Sequence, residues 1–187
     1  MAMQVIAIGT SLGGTAALQI LLPMLPSDLG AAVVLVFHRA QGSDETLVKF
    51  LRKHCRLPVE EAQDKTPIHT RRLYFAPADY HLLVEGDHFA LSTEAAVSFA
   101  RPSIDVLFES VAEACAERAV GVVLSGAGHD GAAGLAAIKQ RGGLTLVQSP
   151  ASAQSSHMPD AAIATGKVDR ILSVEEIVPF LTKWQHK

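Results

Sequence analysis

Short runs of aliphatic, mostly β-branched residues constrain this chain more than any other feature. Val33-Val34-Leu35-Val36-Phe37, Val120-Gly121-Val122-Val123-Leu124 and Leu144-Thr145-Leu146-Val147 carry almost no polar side chain. A strand with one wet face alternates apolar and polar residues, so near-continuous apolar runs imply strands covered on both faces, as in a parallel sheet under helices. Met3-Gln4-Val5-Ile6-Ala7-Ile8 reads as a further strand at the start. Helical patterns separate these runs. Residues 16–25 form one candidate, with Pro23 placed to end or kink it. Residues 44–54 repeat Leu47, Phe50 and Leu51 at helical spacing. Residues 104–118 are amphipathic behind Ser103 as N-cap. Residues 132–140 stop at Gly142-Gly143, a C-cap signal. The last helix opens on the capping box Ser173-x-x-Glu176.

The alternation predicts a single α/β domain over 1–187, with a doubly wound, mostly parallel sheet and helices on both faces. One segment breaks the pattern. Leu73-Tyr74-Phe75-Ala76, residues 81–84 and Phe89-Ala90-Leu91, the last two joined by a turn at Glu85-Gly86-Asp87, read as an antiparallel meander inserted into that sheet.

A chain of 187 residues, 49% of them hydrophobic, can bury a substantial core. Its net charge of −3 gives no reason to expect a nucleic-acid partner. Apolar runs such as residues 31–37 are far too short to span a bilayer. Met1 is followed almost at once by the first strand, with no basic segment typical of a secretion signal. Cys55 and Cys115 are isolated and lack metal-ligand spacing, which fits inert thiols in a reducing cytoplasm.

The turn after the first strand, Gly9-Thr10-Ser11-Leu12-Gly13-Gly14, contains G-x-S-x-G around Ser11. A sharp strand–turn–helix junction of this kind lifts a serine hydroxyl clear of the backbone. A glycine-rich turn in this place also suits a phosphate or dinucleotide. The stretch lacks G-x-G-x-x-G spacing and the Lys-Ser or Lys-Thr of a P-loop. On local pattern alone, nucleophile and phosphate cradle both stand open.

In a parallel sheet, function gathers at the carboxyl ends of the strands. There the sequence places Ser11, His38 after the second strand, and Asp130 in Ser125-Gly126-Ala127-Gly128-His129-Asp130-Gly131. A serine needs a base, and the base needs a carboxylate to set its tautomer. Each residue alone has a plainer use: His38 as a polar strand terminator, Asp130-Gly131 as a turn or N-cap. His129 is a rival partner, although adjacent residues rarely face each other. Together the set points to a hydrolase. The backbone N–H of Leu12 and one from the loop at Ala127 are the candidate donors to an oxyanion.

These residues resemble the catalytic domain of the chemotaxis-receptor methylesterase (CheB) family. The resemblance rests on Ile8 through Gly14, Phe37-His38, Phe75-Ala76-Pro77 with His81-Leu82, Arg101-Pro102-Ser103-Ile104-Asp105-Val106-Leu107-Phe108, and Gly121 through Gly131. It continues through Gln148-Ser149-Pro150 and His157-Met158-Pro159. It implies the CheB C-terminal-domain fold, with Ser11 as nucleophile, His38 as general base and acid, and Asp130 as the orienting carboxylate. It also implies hydrolysis of glutamate γ-methyl esters on the cytoplasmic helices of chemoreceptors, with glutamine deamidation in some members. No cofactor or metal is required. The partner so implied is a methylated chemoreceptor or related signalling protein, with no nucleic acid and no membrane insertion, in the cytoplasm.

The chain departs from the family pattern at Leu12, where many members have threonine, at Ala127, where methionine is frequent, and at His157, where a glycine or apolar residue is usual. No receiver domain is expected, so control is absent or comes from a separate regulatory protein. The competing expectation is a catalytically weak or inactive module that binds a receptor or histidine-kinase partner. Arg101 near the site stands as either a contact or a structural residue.

Overall fold

The computed structural model describes residues 3–38 and 44–185. Seven parallel strands form the main sheet in the order β3-β4-β2-β1-β7-β8-β9. These are β1 (Val5–Thr10), β2 (Ala32–Phe37), β3 (Val59–Glu61), β4 (Leu73–Phe75), β7 (Ala119–Val123), β8 (Leu144–Gln148) and β9 (Arg170–Leu172). β5 (His81–Glu85) and β6 (His88–Ser92) pair antiparallel as a separate hairpin.

Side chains of a strand alternate between faces, and here both faces are dry. Val5, Ala7, Val34 and Val36 pack on α3 (Ile104–Cys115), α4 (Ala132–Gln140), α5 (His157–Ala164) and the hairpin. Ile6, Ile8, Val33 and Leu35 pack on α1 (Gly14–Met24), α2 (Asp44–His54) and α6 (Val174–Gln185). The long apolar runs therefore serve two cores at once, which explains their lack of alternation.

The expected meander requires a correction. β4, from Leu73, pairs parallel with β2 and β3 in the main sheet, so only β5 and β6 form the antiparallel insert. All three residues of β4 are buried: Leu73 and Phe75 face one core and Tyr74 the other. The predicted 104–118 helix divides at Ala116, whose φ of 48° ends α3 and starts a short 3₁₀ turn over Ala116–Arg118. α4 ends as expected: the amides of Gly143 and Gly142 return to the carbonyls of Ile138 and Lys139, and Gly142 takes a φ of 86°.

The chain builds the sheet outward from β1 through β2, then returns to β7 on the other side of β1. The two halves of the fold thus diverge between β1 and β7. In open α/β sheets the crevice beyond that switch point is where ligands bind.

Candidate active site

Ser11 follows β1 directly. Its N–H donates to the Ser125 carbonyl at 3.0 Å, and its own carbonyl receives the Gly14 N–H at 2.8 Å. Gly13, at φ 83°, turns the chain into α1; a β-carbon there would lie 2.5 Å from Ser125 Oγ and 2.6 Å from the Gln154 side chain. The turn is locked to the loop after β7. Thr10 Oγ1 donates to the Ser125 carbonyl at 2.8 Å, and Ser125 Oγ donates to the Leu12 carbonyl at 2.8 Å. Ser125 N–H in turn donates to Gln148 Oε1 at 2.8 Å. Neither the Leu12 nor the Ala127 amide has an acceptor among the described residues.

His38 follows β2, and its N–H donates to the Thr10 carbonyl at 3.0 Å. Ser11 and His38 line one cleft of about 670 Å³, together with Leu12, Phe37, Leu47 and Phe50. No hydrogen bond joins the Ser11 hydroxyl to His38 among the described residues; in resting hydrolases this contact is often long and tightens around substrate.

Asp130, only 3% exposed, has Oδ2 at 2.9 Å from His38 Nε2. The approach is off the line of a well-aligned hydrogen bond. The carboxylate is otherwise saturated. Oδ1 accepts from Ser103 Oγ and from the Asp105 N–H, both at 2.9 Å, and Oδ2 from the Ile104 N–H at 2.7 Å. Asp130 thus occupies the N-terminus of α3, where amides and helix dipole favour an anion. Burial pushes its pKa up, but the His38 contact and the Asp105 and Ile104 amides outweigh that and hold it below the ordinary carboxylate range.

A partner of this carboxylate went unassigned in the sequence. Asp105 Oδ1 accepts from the Gly131 and Gly134 amides at 2.9 and 2.7 Å. Asp130 therefore caps α3 while Asp105, within α3, caps α4. Burial, opposed by the Gly134 amide and reinforced by the neighbouring Asp130 charge, pushes the Asp105 pKa up to about 6. His81, also buried, takes the Ser103 N–H on Nδ1 at 3.2 Å and sets Nε2 at 3.0 Å from the Ala95 carbonyl. Those contacts fix a neutral ring protonated on Nε2. Ser103 caps α3 as the sequence indicated, its Oγ accepting from the Val106 N–H at 3.4 Å, but the same hydroxyl also donates to Asp130, 27 residues away and beyond any local pattern. His129, the rival partner, is exposed and faces Ser98 at 3.5 Å. No cluster of three or more His, Cys, Asp or Glu that could hold a metal occurs among the described residues.

A serine and an imidazole on one cleft, with a buried carboxylate 2.9 Å from the imidazole, are the kinds of group that serine ester hydrolases use. The CheB methylesterase family model matches residues 6–181, and the chain belongs to that family. A putative protein-glutamate methylesterase/protein-glutamine glutaminase of Leptospira interrogans is 43% identical over 175 residues, covering 93% of this chain and 91% of the relative. Protein-glutamate methylesterase/protein-glutamine glutaminase 3 of Pseudomonas aeruginosa is 40% identical over 96% of this chain, which spans 54% of that longer relative. The crystal structure of the Thermotoga maritima CheB methylesterase catalytic domain superposes with a TM-score of 0.95 at 28% identity, covering 98% of this chain and 100% of the other. The doubly wound sheet and the inserted hairpin are those of that catalytic domain.

Proposed function

We propose that this chain hydrolyses glutamate γ-methyl esters on a methylated chemoreceptor or related signalling protein, with Ser11, His38 and Asp130 as its catalytic set. What carries the proposal is one cleft beyond the carboxyl ends of β1 and β2, lined by Ser11 and His38, with Asp130 at 2.9 Å from the imidazole. Because Nε2 faces Asp130, Nδ1 is the ring nitrogen left to act on Ser11.

Ser11 Oγ attacks the ester carbonyl as His38 Nδ1 takes its proton. The oxyanion that forms is met by the Leu12 and Ala127 amides; losing one such donor costs about 2.7–4 kcal/mol of barrier. Collapse breaks the bond to the methoxy oxygen, and His38 returns the proton so that methanol leaves. Water then attacks the acyl-serine with His38 again as base, freeing the glutamate carboxylate and Ser11. Asp130 stabilises the imidazolium in both halves. A primary amide enters the same sequence with ammonia as leaving group, the reaction that the relatives' second name, protein-glutamine glutaminase, describes.

No described helix is long and apolar enough to cross a membrane. Both cysteines are free, in keeping with a reaction in the cytoplasm. A fluorophosphonate probe tests the nucleophile: labelling is expected at Ser11, and should vanish in Ser11→Ala and weaken strongly in His38→Ala. Methanol release from methylated receptor, with Ser11→Ala alongside, tests the substrate. Labelling that persists in Ser11→Ala overturns Ser11 as the nucleophile, whereas binding of the receptor without any methanol release overturns the esterase and favours a non-catalytic binding module.

A further inference from the structure

Between β6 and α3 the chain forms a tight two-residue turn. The Val97 and Ala100 backbones exchange both hydrogen bonds, Val97 N–H to the Ala100 carbonyl at 3.1 Å and Ala100 N–H to the Val97 carbonyl at 2.9 Å. The residues between them, Ser98 and Phe99, have φ of 51° and 63°. Positive φ at both central positions is the turn that asparagine and glycine adopt without strain. A phenylalanine there is costly, and its side chain is 101% exposed, so it gains nothing from packing. Strained backbone of this kind persists where function uses it.

The base of the turn is held. Arg101 Nη1 donates to the Thr93 and Glu94 carbonyls at 2.9 and 3.1 Å, and His81 Nε2 meets the Ala95 carbonyl. Phe99 and Arg101 line a second cavity of about 610 Å³ that also includes His38. The ring therefore stands on the rim of a hollow that shares its imidazole with the Ser11 cleft. On that cleft Leu12, the residue after the nucleophile, is 58% exposed. Any protein that delivers an ester to Ser11 is thus met by an apolar side chain on each hollow.

We infer that Phe99 is a specificity-determining residue, which docks the protein substrate by entering an apolar recess beside its esterified glutamate. This rests on the esterase proposal above. The left-handed turn presents the ring, and Arg101 and His81 hold the base of the loop.

Phe99→Gly removes the ring and suits the left-handed backbone; Phe99→Trp keeps an aromatic. With methylated receptor as substrate, KM should rise about tenfold in Phe99→Gly, the size of effect expected for an aromatic anchor, with kcat preserved. Phe99→Trp should restore most of the loss. Hydrolysis of p-nitrophenyl acetate should stay within about twofold and the melting temperature should not fall, because the residue packs on nothing. Receptor affinity measured without turnover, in the Ser11→Ala background, should weaken by the same factor. An unchanged receptor KM and affinity overturns the docking role, as does equal loss on both substrates or a lowered melting temperature. If methanol is never released but binding depends on Phe99, the esterase reading falls and docking stands. If methanol is released regardless of Phe99, the reverse holds.

Discussion

Replacing Asp130 with asparagine changes one atom, and the structure says why that is severe. An asparagine oxygen at the Oδ1 position keeps the bonds from Ser103 Oγ and the Asp105 amide. Its NH₂ group then faces two groups that Oδ2 had served, the Ile104 N–H at 2.7 Å and His38 Nε2 at 2.9 Å. The opposite rotamer orphans the Asp105 amide instead. Leaving one buried donor unpaired costs about 1–3 kcal/mol, and losing an anion at a helix N-terminus costs about 0.3–1 kcal/mol more. The sum, about 1.3–4 kcal/mol, corresponds to roughly 3–16 °C of melting temperature in a domain of this size. The chemical effect is larger. An NH₂ against Nε2 makes that nitrogen an acceptor and moves the ring proton to Nδ1, where it faces Ser11 and cannot accept. A wrong tautomer lowers kcat by about 10⁴-fold in serine hydrolases. The assay is methanol release well below the variant's melting temperature, run for Asp130→Asn, Ser11→Ala and the double variant. Because such groups act as a unit, the double variant should be little worse than Ser11→Ala alone. A kcat loss below tenfold, or additive losses in the double variant, refutes the reasoning.

Asp105→Asn keeps an acceptor for the Gly131 and Gly134 amides and removes a carboxylate whose pKa in the fold is about 6. A raised carboxylate pKa means the folded state holds the proton more tightly than the unfolded chain, so this group's contribution to stability falls as pH rises from about 4 through about 6. The variant should therefore melt higher than the native protein at pH 8, with the advantage gone near pH 4; a pH-independent difference in melting scans contradicts this. At Gly126, a β-carbon would sit 2.0 Å from Met158 Sδ. Gly126→Ala should cost about 1–3 kcal/mol by overpacking, and Met158→Ala should recover part of it, read from denaturant midpoints; purely additive losses in the double variant would show that the crowding is elsewhere.

What was legible in the sequence follows physical range. Helix α2 and the start of α3 could be read because amphipathic periodicity and capping are local signals. Ser11, His38 and Asp130 could be singled out because parallel strands bring their carboxyl ends to one edge, whatever their order in the chain. β3 and β9 were missed because each has three residues, mostly exposed, at a sheet edge. Leu73 to Phe75 looked like part of a meander because a short apolar run does not reveal its partner. Most of what surrounds Asp130 was illegible for the same reason. Ser103 was visible as a cap, but its union with Asp130, and the answering bond of Asp105 to the next helix, span 25 to 29 residues.

That exchange of caps bears on how the protein loses activity. The start of α3 is completed by Asp130 from the loop leading into α4, and the start of α4 by Asp105 of α3, so fraying at either end disturbs the other. The carboxylate facing His38 is one of the two ties. No half-melted species can then keep a working imidazole, and heat inactivation should track the disappearance of folded protein with a single rate constant. Slow amide exchange at Ile104, Asp105, Gly131 and Gly134 would mark these positions as opening only when the whole domain does.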